Sequence, residues 1–279
     1  MEYRTYPVRP SHGNAVIGAG YIERQGQPDQ FTRLETGEYR MSIVLEGTGI
    51  LIDGETNAWP IMRHSVYQCF PGQPISLYVD ISKPWREFCI SVSAPAMEAL
   101  RTLSSFHDGA PVFQIELYPH LSLWMNDIAE SLAKAPPSLL IEEYFNLQRL
   151  ILNVQMQQDD PADAFALSLI RQATAMVLRD TERLVSISDM AETFFISQAR
   201  LTRIFRKYTQ TTPLKYLSHL RFCYADRLLH EGKSIREVAA MFGYADQFSF
   251  SKQFKQSMGI SPSVSQRRAA IPEDTAPAL

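Results

Sequence analysis

Two clusters near the carboxy-terminal end of this chain carry the groups that read nucleic-acid bases. The first is Gln198, Ala199, Thr202, Arg203 and Arg206; the second is Gln247, Phe248, Ser251, Lys252 and Lys255. Arg and Lys pair with guanine, Gln with adenine, and an apolar group touches the thymine methyl, provided a helix carries them into the major groove. The spacing predicts such helices. Leu201, Ile204 and Phe205 recur at i, i+3 and i+4 behind the first cluster, and Phe250 and Phe254 anchor the second. Ser197 and Asp246 stand ahead of them as N-caps.

The surrounding sequence is duplicated. Ser186-Ile187-Ser188-Asp189-Met190-Ala191 leads to Phe205-Arg206-Lys207 and Thr212-Pro213. Ser234-Ile235-Arg236-Glu237-Val238-Ala239 leads to Phe254-Lys255-Gln256 and Ser261-Pro262, so the offset is 48 residues at the start and 49 at the end. One residue has entered at the turn. Each copy opens with Ser and an acid three positions on, the signature of a capping box, and two short helices follow in the form of a helix-turn-helix. Between the copies, Thr212-Pro213 starts and Glu231-Gly232 ends a helix with an apolar stripe of Leu214, Leu217, Leu220, Leu228 and Leu229. At 1.5 Å per residue it spans roughly 27 Å, against about 34 Å between successive major-groove faces of B-DNA. The competing reading is a small bundle whose basic residues are only a solvated face.

Charge favours the DNA reading. The 279 residues carry a net charge of −3. Residues 162–270 hold 16 Lys or Arg against 9 Asp or Glu (+7), and residues 1–161 hold 11 against 19 (−8); Glu273 and Asp274 complete the total. Arg206, Lys207, Lys215 and Lys255 are candidates for phosphate contacts, which would make binding strongly salt-dependent. There is no long apolar span and no charged-then-apolar leader, so neither membrane nor secretion is implied and the cytoplasm is expected. Cys69, Cys89 and Cys223 lack CxxC spacing and read as packing thiols.

The amino-terminal half alternates with period two. Met41, Ile43 and Leu45 interleave with Arg40, Ser42 and Val44, and Ile50-Leu51-Ile52 precedes Asp53-Gly54. Further strands are predicted at Ser65 to Phe70, Ile75 to Ile81 and Phe88 to Val92, separated by Pro71-Gly72 and Lys83-Pro84. Many short strands with such turns make a barrel or a sandwich. Tyr67, Phe70, Tyr78, Trp85 and Phe88 either line a pocket or fill the core. Leu121 to Ala135 and Leu139 to Gln157 read as two helices broken at Pro136-Pro137. In the second, Leu140, Tyr144, Leu147, Ile151 and Val154 form a stripe broadened by Phe145, Leu150 and Leu152. A metal-dependent barrel enzyme needs clustered His and carboxylate ligands. His12 and His64 are the only histidines in the strand-rich region, and no phosphate loop or Gly-x-Ser-x-Gly elbow occurs. No catalytic site, metal or cofactor is therefore expected.

The run from Ile235 to Lys255, followed by Gly259-Ile260-Ser261-Pro262, resembles the signature of AraC-type transcription regulators. The resemblance implies base contacts at Ala199, Thr202 and Arg203, and at Gln247, Phe248, Ser251 and Lys252, with the two units in successive major grooves. Phe195 stands where the first turn often has Gly, and Ser265-Gln266 replaces a frequent Tyr-Arg pair. More loosely, Tyr39 to Gly49, Phe70-Pro71-Gly72 and Trp85-Arg86-Glu87-Phe88 are similar to the cupin-type ligand domain of sugar-responsive members. That likeness implies an effector site with Arg33, ahead of Gly37, as a candidate sugar ligand; Tyr78 and Trp85, whose aromatic faces suit sugar stacking, are the further effector-binding candidates. It also implies dimerisation through the helical pair.

The expected architecture is multidomain, α and β. A cupin-like β-barrel (1–118) precedes a dimerising helical pair (119–157), a linker (158–162), an all-α DNA-binding domain with two helix-turn-helix units joined by a long helix (163–268), and a disordered tail (269–279). The expected function is ligand-responsive regulation of transcription, with activation of carbohydrate or small-metabolite genes the leading form. The expected partners are double-stranded DNA, a small effector such as a sugar, a second copy of the chain and RNA polymerase. The alternative is a constitutive DNA-binding regulator whose barrel serves only dimerisation.

Overall fold

The structure is a computed structural model and describes residues 17–24, 31–34, 37–54, 57–80, 83–103, 111–134, 136–157, 161–182 and 186–269. The expected tail lies outside them from residue 270 onward. The described chain forms β1 (Ile17–Arg24), β2 (Phe31–Leu34), β3 (Glu38–Glu46), β4 (Gly49–Asp53), β5 (Asn57–Ile61), β6 (Ser65–Cys69), β7 (Ile75–Val79) and β8 (Trp85–Ser93). Then come α1 (Ala94–Leu103), β9 (Val112–Gln114), α2 (Pro119–Lys134), a 3-10 turn at Pro137–Leu139, α3 (Leu140–Gln155) and α4 (Pro161–Arg179). The last elements are α5 (Ile187–Thr193), α6 (Gln198–Thr209), α7 (Pro213–His230), α8 (Ile235–Met241), α9 (Gln247–Met258) and α10 (Pro262–Ala269). Two compact units emerge, one from 1–49 and 61–163, the other from 50–60 and 164–276.

The strands form two sheets, a five-stranded one of order β1-β8-β3-β6-β9 and a four-stranded one of order β2-β7-β4-β5. In the first sheet β8 is antiparallel to both β1 and β3, with Met41 opposite Ile90 and Ile43 opposite Phe88. Because side chains alternate along a strand, Tyr39, Met41, Ile43, Phe88, Ile90 and Val92 share one face. That face meets Met97 and Leu100 of α1, Leu121, Met125 and Ile128 of α2, and Leu147, Leu150 and Ile151 of α3 in one core. The opposite face is also buried, Ser42, Val44, Glu87, Cys89 and Ser91 included. The two-faced burial departs from the amphipathic strand that alternation predicts.

Helix α3 is fixed to this sheet by a buried polar network. Tyr39 Oη donates to Gln68 Oε1 at 2.6 Å, and Gln155 Nε2 donates to the same oxygen at 2.6 Å. Phe145, which broadens the predicted stripe, is exposed, as are Leu123 and Ile141. These three leave α2 and α3 with an uncovered apolar face within their unit. Helix α4 begins at Pro161, whose fixed φ suits a first helical turn, and residues 158–160 of the expected linker lie outside the described residues. Helix α1 was not foreseen, although Ser93 stands just before it and Pro95 in its first turn.

In the second unit, α7 is the spine. Leu217, Leu220, Leu228 and Leu229 are buried as the stripe predicts, and Phe222, Cys223 and Ala225 are buried with them. Leu214 is exposed instead, one residue into the first turn after the Thr212 cap. All three cysteines are buried and unlinked.

Candidate functional site

Each reading helix is set up by its own sequence. The Ser186 hydroxyl accepts from Asp189 N at 3.0 Å and starts α5; the Ser197 hydroxyl accepts from Arg200 N at 3.2 Å and starts α6. In the second copy Ser234 and Glu237 form a complete capping box on α8. Asp246 Oδ1 accepts from both Phe248 N and Ser249 N at 2.8 Å to start α9. These bonds satisfy amide groups that the helix cannot pair itself and stabilise the charged form of Asp246, whose pKa is lowered chiefly by the Ser249 amide.

Packing then aims the outer faces. Leu201, Ile204, Phe205 and Tyr208 are buried beneath α6, with the Phe205 ring 5.8 Å from Tyr216 on α7. Phe250 and Phe254 are buried beneath α9, their rings 5.6 Å apart and each within 6.3 Å of Phe222. Opposite these anchors, Ala199, Arg203 and Arg206 on α6 are exposed and Thr202 is half-exposed. Gln247, Lys252 and Lys255 on α9 are exposed, Ser251 is half-exposed, and Phe248 stands 77% exposed rather than packed on a neighbouring helix. Lys207 is drawn sideways: its Nζ donates to Tyr208 Oη at 2.8 Å. Lys215 is exposed near the start of α7. Ser251 donates its hydroxyl proton to Gln247 O at 2.7 Å, which leaves that oxygen as an acceptor toward a ligand.

Three supports were not singled out from sequence. Arg221, buried on α7, donates from Nη2 to Phe242 O at 3.0 Å and to Thr181 O, tying the second turn to the segment after α4. Burial lowers its pKa. Gly243 fills that turn at φ +74°, where an added Cβ would lie 3.2 Å from Glu182 O. On α7 and α10, Asp226, His230 and Ser265 meet: His230 Nε2 is 2.8 Å from Ser265 Oγ and 3.8 Å from Asp226 Oδ2, and Ser265 donates to Asp226. Hydroxyl and carboxylate approach the same imidazole nitrogen, whereas a nucleophilic triad needs them on opposite nitrogens. The cluster clamps α10 to α7, and only its sequence departure at Ser265 hinted at it.

In the first unit, Trp85 and Tyr78 are buried. Arg33 lies on β2 opposite Ser76, with its side chain outside the description. Phe70 and Phe88 belong to the helix-packed core, so they are removed from the pocket candidates. Tyr67 points to the other face, where its hydroxyl donates to Glu87 Oε2. Gly47, at φ +109°, lets the Trp85 ring lie against the β3–β4 turn; a Cβ there would meet Trp85 Cε3 at 2.8 Å. Among the described residues no group of three His, Cys, Asp or Glu side chains could hold a metal, and no helix is long and apolar enough to cross a membrane.

A β-rich unit followed by helices, ahead of two capped helix-turn-helix units with polar outer faces, defines a ligand-responsive DNA-binding regulator. Residues 18–175 match the AraC-like ligand binding domain and residues 190–268 match a helix-turn-helix domain. The chain belongs to the AraC family of transcription regulators. It is 25% identical over 240 residues to the raffinose operon transcriptional regulatory protein of Pediococcus pentosaceus, covering 84% of this chain and 86% of that protein. Over 79 residues it is 43% identical to the HTH-type transcriptional regulator YidL of Escherichia coli, covering 28% of this chain and 27% of that one. ToxT of Vibrio cholerae aligns over 90% of this chain and 97% of its own at 15% identity, with a TM-score of 0.37.

Proposed function

We propose that this regulator reads two adjacent major grooves with α6 and α9 and activates genes for carbohydrate or small-metabolite use when an effector binds its strand-rich domain. The observation that carries the reading is the paired outer face: two capped helices of 12 residues each, α6 packed against Tyr216 and α9 against Phe222 of the 18-residue α7, each presenting base-reading groups outward. Ala199, Thr202 and Arg203 contact bases in one groove, and Gln247, Phe248, Ser251 and Lys252 in the other. Arg206, Lys207, Lys215 and Lys255 bind phosphates. The role in sugar use rests on the likeness to the raffinose operon regulator.

The proposed division of labour assigns residues 1–118 to effector binding through Arg33, Tyr78 and Trp85, and 119–157 to homodimerisation. Residues 163–268 bind DNA. The exposed Leu123, Ile141 and Phe145 supply the apolar surface that a dimer would cover. Activation adds RNA polymerase as a partner, and the work is done in the cytoplasm. Effector binding must favour one arrangement of the DNA-binding domains over another, since a ligand with equal affinity for both shifts nothing.

The test is binding of the full chain to its own upstream DNA across a salt series, with scrambled DNA as control. Specific, salt-sensitive binding supports the reading, and binding that ignores sequence sinks it. Sedimentation of the free and DNA-bound protein measures the stoichiometry, and a strictly monomeric complex rejects dimerisation.

A further inference from the structure

We infer that Phe195, in the turn between α5 and α6, is a DNA-contacting residue whose ring lies on the apolar edge of the duplex, the thymine methyl and deoxyribose C–H groups at the rim of the groove that α6 reads. The inference rests on the DNA-reading role of α6 proposed above and adds a contact to it.

The turn itself gives no reason for a ring. Helix α5 ends in paired bonds, Phe195 N donating to Glu192 O at 3.1 Å and Ile196 N to Ala191 O at 3.0 Å. The second copy closes in the same way, Gly243 N donating to Ala240 O and Tyr244 N to Ala239 O, both at 3.0 Å. Such an ending places its first residue beyond the helix in left-handed backbone, which glycine adopts freely and a bulky side chain only under strain. Gly243 meets the demand at φ +74°, whereas Phe195 sits at φ +53°. Its side chain is 96% exposed, more than any other large apolar side chain among the described residues. The ring therefore returns nothing to the folded state for the strain it brings. Strain held in place without a folding gain points to a bound state.

Position selects DNA as what the ring meets. Phe195 stands two residues ahead of Ser197, the N-cap of α6, so the two Cα atoms are at most about 7 Å apart. In a helix-turn-helix the first helix crosses the backbone and the N-terminal residues of the second reach base edges, so the joining turn comes to the rim of the groove. Ser197, Gln198, Ala199 and Arg200 beside it are all exposed. The surrounding half of the chain is basic, which draws it to phosphate rather than to another basic surface. An aromatic ring cannot pair with phosphate; at that rim it finds methyl and sugar C–H groups.

The experiment is a titration of the full chain and of Phe195→Gly against the footprinted upstream DNA across a salt series, with thermal unfolding of each. Phe195→Gly should unfold at the same or a higher temperature and bind about tenfold more weakly, the scale of an aromatic ring partly withdrawn from water. Its salt slope should be unchanged, since an apolar contact releases no counterions. Phe195→Asn also tolerates left-handed backbone and should show the same loss, which serves if glycine loosens the turn. Deoxyuridine in place of single thymines tells the two sources apart. A position where it weakens the original chain about fourfold, the worth of one buried methyl, and leaves Phe195→Gly unmoved assigns the ring to that methyl; a tenfold loss with no such position assigns it to deoxyribose. Weaker binding with a slope shallower by about 0.9 or more overturns the inference, because the turn then only positions phosphate contacts. Unchanged DNA binding with loss of self-association or of polymerase-dependent transcription overturns it in favour of a protein contact. Unchanged binding in Phe195→Gly beside a loss in Arg203→Ala overturns the contact and leaves the reading by α6 standing. No preference of the original chain for upstream over scrambled DNA overturns both.

Discussion

The two helix-turn-helix copies share a plan and differ at the turn and beneath the reading helix. In the second copy the turn residue is Gly243 at φ +74°; in the first it is Phe195 at φ +53°, with its ring 96% exposed. Left-handed backbone suits glycine and strains an aromatic residue. Beneath α9 the anchors are tilted and edge-on rings, Phe250 against Phe222, Phe242 and Tyr244, and Phe254 against Phe222 and Phe250. Beneath α6 they are Leu201, Ile204 and Phe205. The difference teaches that a duplicated motif keeps what aims the outer face and lets the rest drift. Caps and anchor spacing persist, while turn chemistry and core composition do not.

The largest expected effect tests the cores. Phe250→Ala should cost about 3–5 kcal/mol of stability, as should Phe205→Ala, measured by chemical denaturation of the full chain. A much smaller loss for Phe205→Ala would show that the aliphatic core collapses around the gap where the aromatic one does not. Next comes the outer face. Arg203→Ala should lose about 1–3 kcal/mol on specific DNA and relax preference at one base pair, and Lys252→Ala should do the same in the other half of the site. Equal loss on scrambled DNA would make either residue a phosphate contact and the copies unequal readers.

The turns give opposite signs. Phe195→Gly should stabilise by up to about 1 kcal/mol through relief of backbone strain, whereas Gly243→Ala should destabilise by about 1 kcal/mol or more, since φ is positive and Glu182 O is close. Stabilisation by Gly243→Ala would show that this turn relaxes freely. The smallest effect is electrostatic. Lys207→Ala should weaken binding to all sequences alike and lower the salt slope by about 0.9. An unchanged slope would mean that its bond to Tyr208 keeps it from the phosphates.

Much of the DNA-binding half was legible because its signals are local. Ser197 and Asp246 cap the helices they were expected to cap, and Leu201, Ile204, Phe205, Phe250 and Phe254 are the buried anchors. Spacing of three and four residues predicts a helix face whatever the helix packs on. Leu214 and Phe145 belong to apolar stripes yet are exposed, because a stripe says which side can be buried, not how far the covering surface extends. The strand-rich half was less legible. Alternation located β3, β6, β7 and β8, but period two cannot say that both faces of β8 are covered.

Sequence alone determined the capped, duplicated reading helices, the hidden basic charge of the carboxy-terminal half and the membership of a regulator family, since propensity, capping and charge act within a few residues. Only the tertiary structure decided that Phe88 packs under the helices while its neighbour Glu87 is buried on the other face with one oxygen unmet. It also decided that Asp226, His230 and Ser265 form a clamp. Burial and hydrogen-bond satisfaction depend on strands and helices far apart in the chain, and no local pattern encodes which distant groups will meet.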